Sequence, residues 1–399
     1  MTDVAERLEE LREGGLRRRL RLVQSPQGPR VLLDGHDVLL LCSNDYLGLA
    51  SHPRVRAAAA EGAMRWGAGA GASRLISGNM PPHRDLEERL AAFKGYDRAL
   101  LFGSGYLANA GAIAALAGRG EVVFSDELNH ASIIDGCRLS RAETFVYRHG
   151  DLDHLARGLR EAGGRAALIV TDGVFSMDGD VAPLAGLAEL ARRHRCRLMV
   201  DEAHATGALG PGGRGSVAAA GLSGEVDVVV GTLGKALGSY GAYACGSEAL
   251  TEYLLNAARP FVFSTAPPPP VLAAAQAALE MLEAHPERVE RLSANAATLR
   301  RALGEEGLRV GGSGTQIVPV AVGDAELTMA LSERLLERGV FAQGIRPPTV
   351  PEGTSRLRFT VAATHRRVEL EQAAREVGEA ARELGLAPAA PAAPTALAA

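Results

Sequence analysis

CRLMVDEAHATGALG (Cys196–Gly210) begins with a short apolar run, Arg197–Val200, stops at the acidic Asp201 and passes into a loop of small residues. A brief uninterrupted apolar run, with no polar alternation, marks a strand covered on both faces. The same signature recurs upstream at Ala99–Phe102, Glu121–Phe124 and Ala167–Thr171, and downstream at Val226–Val230 and Ala242–Ala244. Helical segments or loops separate these runs, and that alternation builds a mostly parallel central sheet flanked by helices. The expected fold class is α/β.

On the N-terminal side, Leu8, Leu11 and Leu16 predict a short amphipathic helix ending near Gly14 and Gly15. Two strand-like runs follow, Val31–Leu33 and Val38–Cys42, around an Asp34-Gly35 turn. On the C-terminal side, Pro267–Pro270 marks a boundary and Ala273–Leu303 reads as one long bridging helix. A strand at Thr315–Val322, a helix at Leu327–Arg338, a strand near Arg356–Val361 and a helix at Arg366–Leu384 predict a small C-terminal α+β domain. The expected division is an N-terminal arm over 1–45, a large α/β domain over 46–285, the small domain over 286–385 and a disordered Ala/Pro tail over 386–399.

Bulk properties exclude several classes. The 399 residues are 47% apolar and 23% charged, with a formal net charge of -4, so neither nucleic acid nor an anionic membrane is the expected partner. The basic cluster Arg17-Arg18-Arg19 and Arg21 is short and reads first as a solvated helix face. Cys42, Cys137, Cys196 and Cys245 are scattered without metal-ligand spacing, so no metal site or disulfide framework is expected. The charged N-terminus lacks the apolar core of a signal peptide, and no run approaches the roughly 18 apolar residues of a membrane span. The expected location is the cytoplasm.

An open α/β sheet binds ligands beyond the carboxyl ends of its strands, so the residues that follow each strand are the candidates. Asp201 ends one strand, and a buried carboxylate there needs a cationic partner. A pyridinium nitrogen is such a partner, and His204 lies three residues on, within reach of another polar edge of the same ligand. After Val226–Val230 comes Gly231-Thr232-Leu233-Gly234-Lys235-Ala236. A lysine in a glycine-rich loop suits a Schiff-base nucleophile with a desolvated amine, and Thr232 can donate to a phosphate. The P-loop spacing is absent, and Ala236 offers no magnesium ligand.

Gly103-Ser104-Gly105-Tyr106-Leu107-Ala108-Asn109 opens a helix whose first amides attract a phosphate. It also fits G-x-G-x-x-A with Asp126 about 20 residues later, the pattern of a nicotinamide-dependent dehydrogenase. That rival leaves Asp201, His204 and Lys235 without a joint purpose. His130, in Asn129-His130-Ala131-Ser132, can stack on a cofactor ring or poise a substrate carboxylate.

In this order the pieces resemble the α-oxoamine synthases, a branch of the fold-type-I transferases that use pyridoxal 5′-phosphate (PLP). The similarity runs from about residue 5 to 385 and rests on SNDYLGLASHP (43–53), GAGASRLISG (69–78), NHASIIDG (129–136), DGVFSMDGD (172–180), DEAHATGALG (201–210) and GTLGKALGSYGAY (231–243). The resemblance implies a Schiff base on Lys235, Asp201 as pyridinium partner, and His204 and Ser176 at the phenolic oxygen. It places Gly105, Tyr106 and Thr232 along the phosphate, His130 on the ring and Arg358 on the substrate carboxylate. Arg17 and Thr349 match acyl-substrate contacts. The implied reaction removes the amino acid's α-proton with the freed Lys235 amine, acylates the α-carbon from a thioester and releases carbon dioxide. Homodimers are implied as well. GIRPPTVPEGTSRLRFTVAATH (344–365) looks most like the members that condense L-alanine with pimeloyl-CoA or pimeloyl-acyl-carrier protein in biotin synthesis. NHASIIDG is shared with the glycine acetyltransferases, the alternative within the branch.

Overall fold

Asp34 and Gly35 both take positive φ, 48° and 85°, and so close a tight hairpin between β1 (Arg30–Leu33) and β2 (His36–Leu40). This is a computed structural model, and it describes residues 3–14 and 16–386. A helix at Val4–Glu13, capped by Asp3, precedes the hairpin and buries no side chain.

Seven strands form the central sheet: β3 (Arg98–Phe102), β4 (Val122–Asp126), β5 (Glu143–Tyr147), β6 (Ala166–Asp172), β7 (Arg197–Asp201), β8 (Val228–Thr232) and β9 (Ala242–Gly246). Their order is β3-β9-β8-β7-β6-β4-β5, with β9 antiparallel to both neighbours and the remaining pairs parallel. The carboxyl ends of β4, β6, β7 and β8 therefore lie side by side. That edge presents Asp126, Asp172, Asp201 and Thr232, with Asp172 directly opposite Asp201. Helices such as Gly105–Leu116 cover the faces, which is why Leu168–Val170 and Leu198–Val200 are wholly buried.

The C-terminal part adds β10 (Ile317–Gly323), β11 (Val340–Phe341), β12 (Gln343–Ile345) and β13 (Ser355–Thr360). β10, β13 and β12 form an antiparallel sheet in that order, while β11 pairs with β2 of the N-terminal hairpin. Helices Ala325–Glu337 and Arg367–Glu383 accompany this sheet.

Besides the short strands β11 and β12, which the sequence does not announce, two elements depart from the sequence-based expectation. The single helix expected over Ala273–Leu303 is two helices, Pro269–Ala284 and Glu287–Glu305. Pro286 has no N–H for a helical bond and forces His285 out of the helical region, to φ -133° and ψ 61°. β5 was not anticipated, because Glu143-Thr144-Phe145-Val146-Tyr147 is an edge strand with only its last residue buried. The expected tail lies outside the described residues from 387 onward; Leu386 still donates its N–H to Ala381 O.

One buried ion pair stands directly behind Asp201. Lys94, the last residue of the helix Pro81–Lys94, donates to Glu202 and to the Arg214 carbonyl, and reaches Thr206 Oγ1 at 3.3 Å. Glu202 is fully buried and also accepts from Ser216 Oγ at 2.9 Å and Val217 N at 2.6 Å. Lys94→Ala strands that carboxylate and is expected to cost about 3–5 kcal/mol in urea denaturation. Lys94→Met with Glu202→Gln, which removes both charges, should cost clearly less.

Candidate active site

The loop after β8 carries Lys235 back over the sheet. Leu233 N donates to Gly241 O at 2.9 Å, Gly238 N to Lys235 O at 2.8 Å and Ser239 N to Leu233 O at 2.9 Å. Gly238 holds φ 57°, and a Cβ there would lie 2.3 Å from Ala50 N, so only glycine fits this closure. Lys235 Nζ thereby comes to 3.0 Å from His204 Nε2. Burial lowers the Lys235 pKa, against the pull of Asp201 and Asp172, and so enlarges the fraction of free amine.

His204 is buried, and its other nitrogen, Nδ1, lies 2.6 Å from Tyr46 Oη. Burial and the nearby cations Lys235 and Arg358 push its pKa well below the usual value, so the ring is neutral. A neutral imidazole has one N–H, so it donates to one of these partners and accepts from the other. Gln316 Nε2 holds the His204 carbonyl at 2.8 Å, which ties the C-terminal segment to this loop.

Asp201 ends β7 with both oxygens engaged, Oδ1 by Ala203 N at 2.8 Å and Oδ2 by Asn109 Nδ2 at 2.6 Å. The same Asn109 amide donates to Ser132 Oγ at 2.9 Å, and Ser132 Oγ lies 2.7 Å from His130 Nδ1. The Ser132 backbone N–H also donates to Nδ1, at 3.3 Å, so that nitrogen is an acceptor and the N–H of the neutral ring lies at Nε2. The His130 backbone N–H donates to Asp172 Oδ2 at 2.9 Å. Burial, then the adjacent Asp201, raises the Asp172 pKa well above the usual carboxylate range.

Arg358, on β13, is buried and donates through Nε to the Ser176 carbonyl. Its charge is felt at Lys235, His204 and Tyr46, which places the guanidinium at the same centre. Ser176 meets Arg358 through its backbone carbonyl, not its hydroxyl.

These groups fit a phosphorylated pyridine aldehyde. Lys235 offers a desolvated amine, and Asp201 offers a fixed carboxylate for a ring N–H. His130 is neutral, because burial lowers its pKa. Asn109 Oδ1, beside them, is buried and unpartnered. The helix Gly105–Leu116 begins one turn before Asn109, and the amides of Gly105 and Tyr106 have no helical carbonyl to meet. A Cβ on Gly105 would touch nothing within 4 Å, which leaves room for a phosphate at that helix start.

Comparison with known proteins agrees. The family described as "Aminotransferase class I and II" matches residues 36–377. 8-Amino-7-oxononanoate synthase of Citrifermentans bemidjiense is 54% identical over 97% of this chain and all of that one. The enzyme of the same name from Symbiobacterium thermophilum is 51% identical, again over 97% of this chain. Among solved structures, serine palmitoyltransferase from S. paucimobilis, bound to a PLP–myriocin aldimine, superposes with TM-score 0.91 at 34% identity, covering 96% of this chain and 98% of that one. The chain belongs to the α-oxoamine synthases. An 8-amino-7-oxononanoate synthase from Francisella tularensis also superposes, with TM-score 0.75 at 30% identity, over 87% of this chain and 98% of that one.

In this α-oxoamine synthase the sequence-derived residues fall into two groups. Lys235, His204, Asp201, His130 and Arg358 converge on one centre. Thr232 sits at the end of β8, where Oγ1 donates to Gly241 O at 3.1 Å. Tyr106 leans outward instead, with its hydroxyl on Asp135 and the residue 44% exposed. Arg17 and Thr349 line a separate cavity of about 1100 Å³, with Arg18, Arg346 and Phe341. The dinucleotide reading fails at Asp126, whose oxygens hold Leu128 N, Gly150 N and His149 and are not free for a ribose.

Four participants were missed by sequence reasoning: Tyr46, Asn109, Asp172 and Gln316. Asp172 was within reach, since it ends β6 as Asp201 ends β7. Asn109 follows Gly105 by four residues, one helical turn, and so shares its helix face. Tyr46 and Gln316 carry no local signal, because chain folding alone brings them to His204.

Among the described residues no cluster of His, Cys, Asp and Glu suits a metal ion, and no helix is long and apolar enough to cross a membrane.

Proposed function

We propose that this α-oxoamine synthase condenses L-alanine with a pimeloyl thioester, releasing carbon dioxide and the free thiol and forming 8-amino-7-oxononanoate for biotin synthesis. The observation that carries the chemistry is the desolvated Lys235 amine, 3.0 Å from neutral His204 and beside Asp201 and Arg358. Curated relatives that are 54–56% identical over more than nine-tenths of the chain, all named 8-amino-7-oxononanoate synthase, support the substrate choice.

The cofactor is pyridoxal 5′-phosphate, which when bound supplies a carbonyl for covalent attachment and an electron sink for the amino acid's α-carbon. Asp201 holds the proton on the pyridine nitrogen, and Asn109 fixes the carboxylate that does so. Lys235, once released, takes the α-proton as general base; its lowered pKa leaves more of the amine unprotonated for that step. Neutral His204, with Ser176, would border the phenolic edge of the bound cofactor, and His130 would cover its ring face. The backbone amides of Gly105 and Tyr106 at the helix start would hold the phosphate, with Thr232 alongside if its hydroxyl turns from the Gly241 carbonyl. Arg358 binds the alanine carboxylate, with its charge balanced by that anion. Arg17 and Thr349 meet the acyl donor in the second cavity. A homodimer in the cytoplasm completes the reading.

Free-thiol release by the PLP-loaded protein tests this directly. L-Alanine with pimeloyl-CoA is expected to release thiol at least about tenfold faster than glycine with acetyl-CoA, a difference of about 1.4 kcal/mol in transition-state binding. Faster release from the glycine pair would move the function to glycine acetyltransfer. Pimeloyl-acyl-carrier protein in place of the CoA ester distinguishes the two donors.

A further inference from the structure

His149, in the loop after β5, lies between two carboxylates of different segments. Nδ1 is 3.0 Å from Asp126 Oδ1 at the end of β4, and Nε2 is 2.7 Å from Asp180 Oδ2. An ionised carboxylate only accepts, so both ring nitrogens must carry hydrogen, and the side chain is an imidazolium. The Phe175 ring stands perpendicular to it, with centroids 4.4 Å apart at 86°.

Phe175 and Asp180 belong to one short hairpin, Gly173–Val181. Val174 pairs with Val181, Phe175 N donates to Asp180 O at 3.0 Å, and Gly179 N donates to Phe175 O at 2.8 Å. The far side of this hairpin grips the C-terminal sheet at three points. The Ser176 carbonyl accepts from Arg358 Nε, Asp178 pairs with Arg356, and the Gly179 carbonyl accepts from Thr315 Oγ1 at 2.7 Å. Gly179 packs so closely that a Cβ would lie 2.6 Å from Thr315 Oγ1. The hairpin thus sits between β4 and Arg358, with His149 fastening its inner edge.

We infer that His149 is a positioning residue: as an imidazolium bridging Asp126 and Asp180 it fixes the Gly173–Val181 hairpin, and through the Ser176 carbonyl it sets Arg358 for the amino-acid carboxylate. The inference rests on the reading of Arg358 as the carboxylate-binding group. It explains why a half-buried histidine with no contact to Lys235 is paired on both sides while Asp180 Oδ1 remains buried and unpartnered. A charged partner on Oδ2 offsets the desolvation of that carboxylate.

The groups facing His149 are Asp126 and Glu127 at the end of β4, with Glu127 Oε1 accepting the His149 N–H at 2.8 Å, and Asp180 and Phe175 from the hairpin. Tyr147 stands beside Asp126 in the sheet, and Arg148 and Asp151, in the loop itself, pair with each other. Hydrogen bonds to Asp126 and Asp180 raise the His149 pKa from 6.5 to about 10. A group raised in the folded state stabilises fully below its unfolded value of 6.5, and that contribution fades as pH rises through about 10. The clamp is therefore closed at neutral pH and loosens in alkali.

The experiment compares His149→Gln with Arg358→Lys in the PLP-loaded protein. His149→Gln is expected to raise the KM for L-alanine about tenfold with the KM for pimeloyl-CoA unchanged, as for a displaced binding group. The ratio of variant to wild-type alanine KM, and the gap between their melting temperatures, should both shrink as pH is raised from 7 towards 10. Arg358→Lys should raise the alanine KM at least as much. An unchanged alanine KM in folded His149→Gln overturns the inference, and if Arg358→Lys still raises it, the reading of Arg358 survives. A rise in His149→Gln but none in Arg358→Lys also overturns it, since the clamp would then act on something other than Arg358. Equal rises in both substrates' KM values would reduce His149 to a structural part, as would a pH-independent ratio.

Discussion

Lys235→Ala is expected to lower thiol release by at least about 10⁴-fold, because one substitution removes both the covalent attachment and the general base. The visible absorbance of lysine-bound cofactor should disappear with it. The fold should remain, since among the described residues the Lys235 side chain is hydrogen-bonded to His204 Nε2 alone, at 3.0 Å, and the loop is closed by backbone bonds that alanine keeps. Circular dichroism and melting temperature provide that control. Lys235→Arg is expected to be nearly as damaging, because a guanidinium stays protonated and cannot act as base. Turnover within tenfold of wild type in folded Lys235→Ala would remove this lysine from the chemistry and with it the functional reading.

Sequence made different parts of this molecule legible for different physical reasons. Strands β3, β4, β6, β7, β8 and β9 are buried on both faces, so their apolar runs identify them without help from neighbours. β5 escaped because an edge strand needs apolar residues on one side only, and Thr144 and Val146 face outward. At Pro286 the local proline rule prevails over the apolar periodicity that runs on through either side, and one expected helix becomes two. Among site residues, Asp201, Lys235 and His130 declare themselves by following strands or lying in glycine-rich loops, where burial and close backbone approach leave a trace in the chain. Tyr46 and Gln316 act on His204 across sequence separations of 158 and 112 residues, and no local pattern records such contacts. His149 lies between these cases: its carboxylate partners sit at the end of β4 and in DGVFSMDGD, but only the fold brings them together.

Asp201→Asn should be the next most damaging change, for a reason particular to this geometry. Both Asp201 oxygens accept from N–H groups, Oδ1 from Ala203 at 2.8 Å and Oδ2 from Asn109 at 2.6 Å. An asparagine amide has to turn its NH₂ towards one of those donors, so the replacement loses a hydrogen bond as well as a charge. If the NH₂ faces Asn109, the link through Ser132 to His130 loosens too. Without the carboxylate, a bound pyridine nitrogen would have no group to keep its proton, and the electron sink needed at the α-carbon would weaken. Turnover is expected to fall by at least about 10³-fold, equivalent to about 4 kcal/mol of transition-state stabilisation. Cofactor affinity should fall as well, read as faster loss of absorbance on dialysis. Asn109→Ala separates the two contributions. It keeps the Asp201 charge while removing its anchor, so it should lose turnover by about 10- to 100-fold and retain the cofactor better than Asp201→Asn. If Asn109→Ala matched Asp201→Asn in both readouts, orientation of the carboxylate rather than its charge would be the deciding factor at this site.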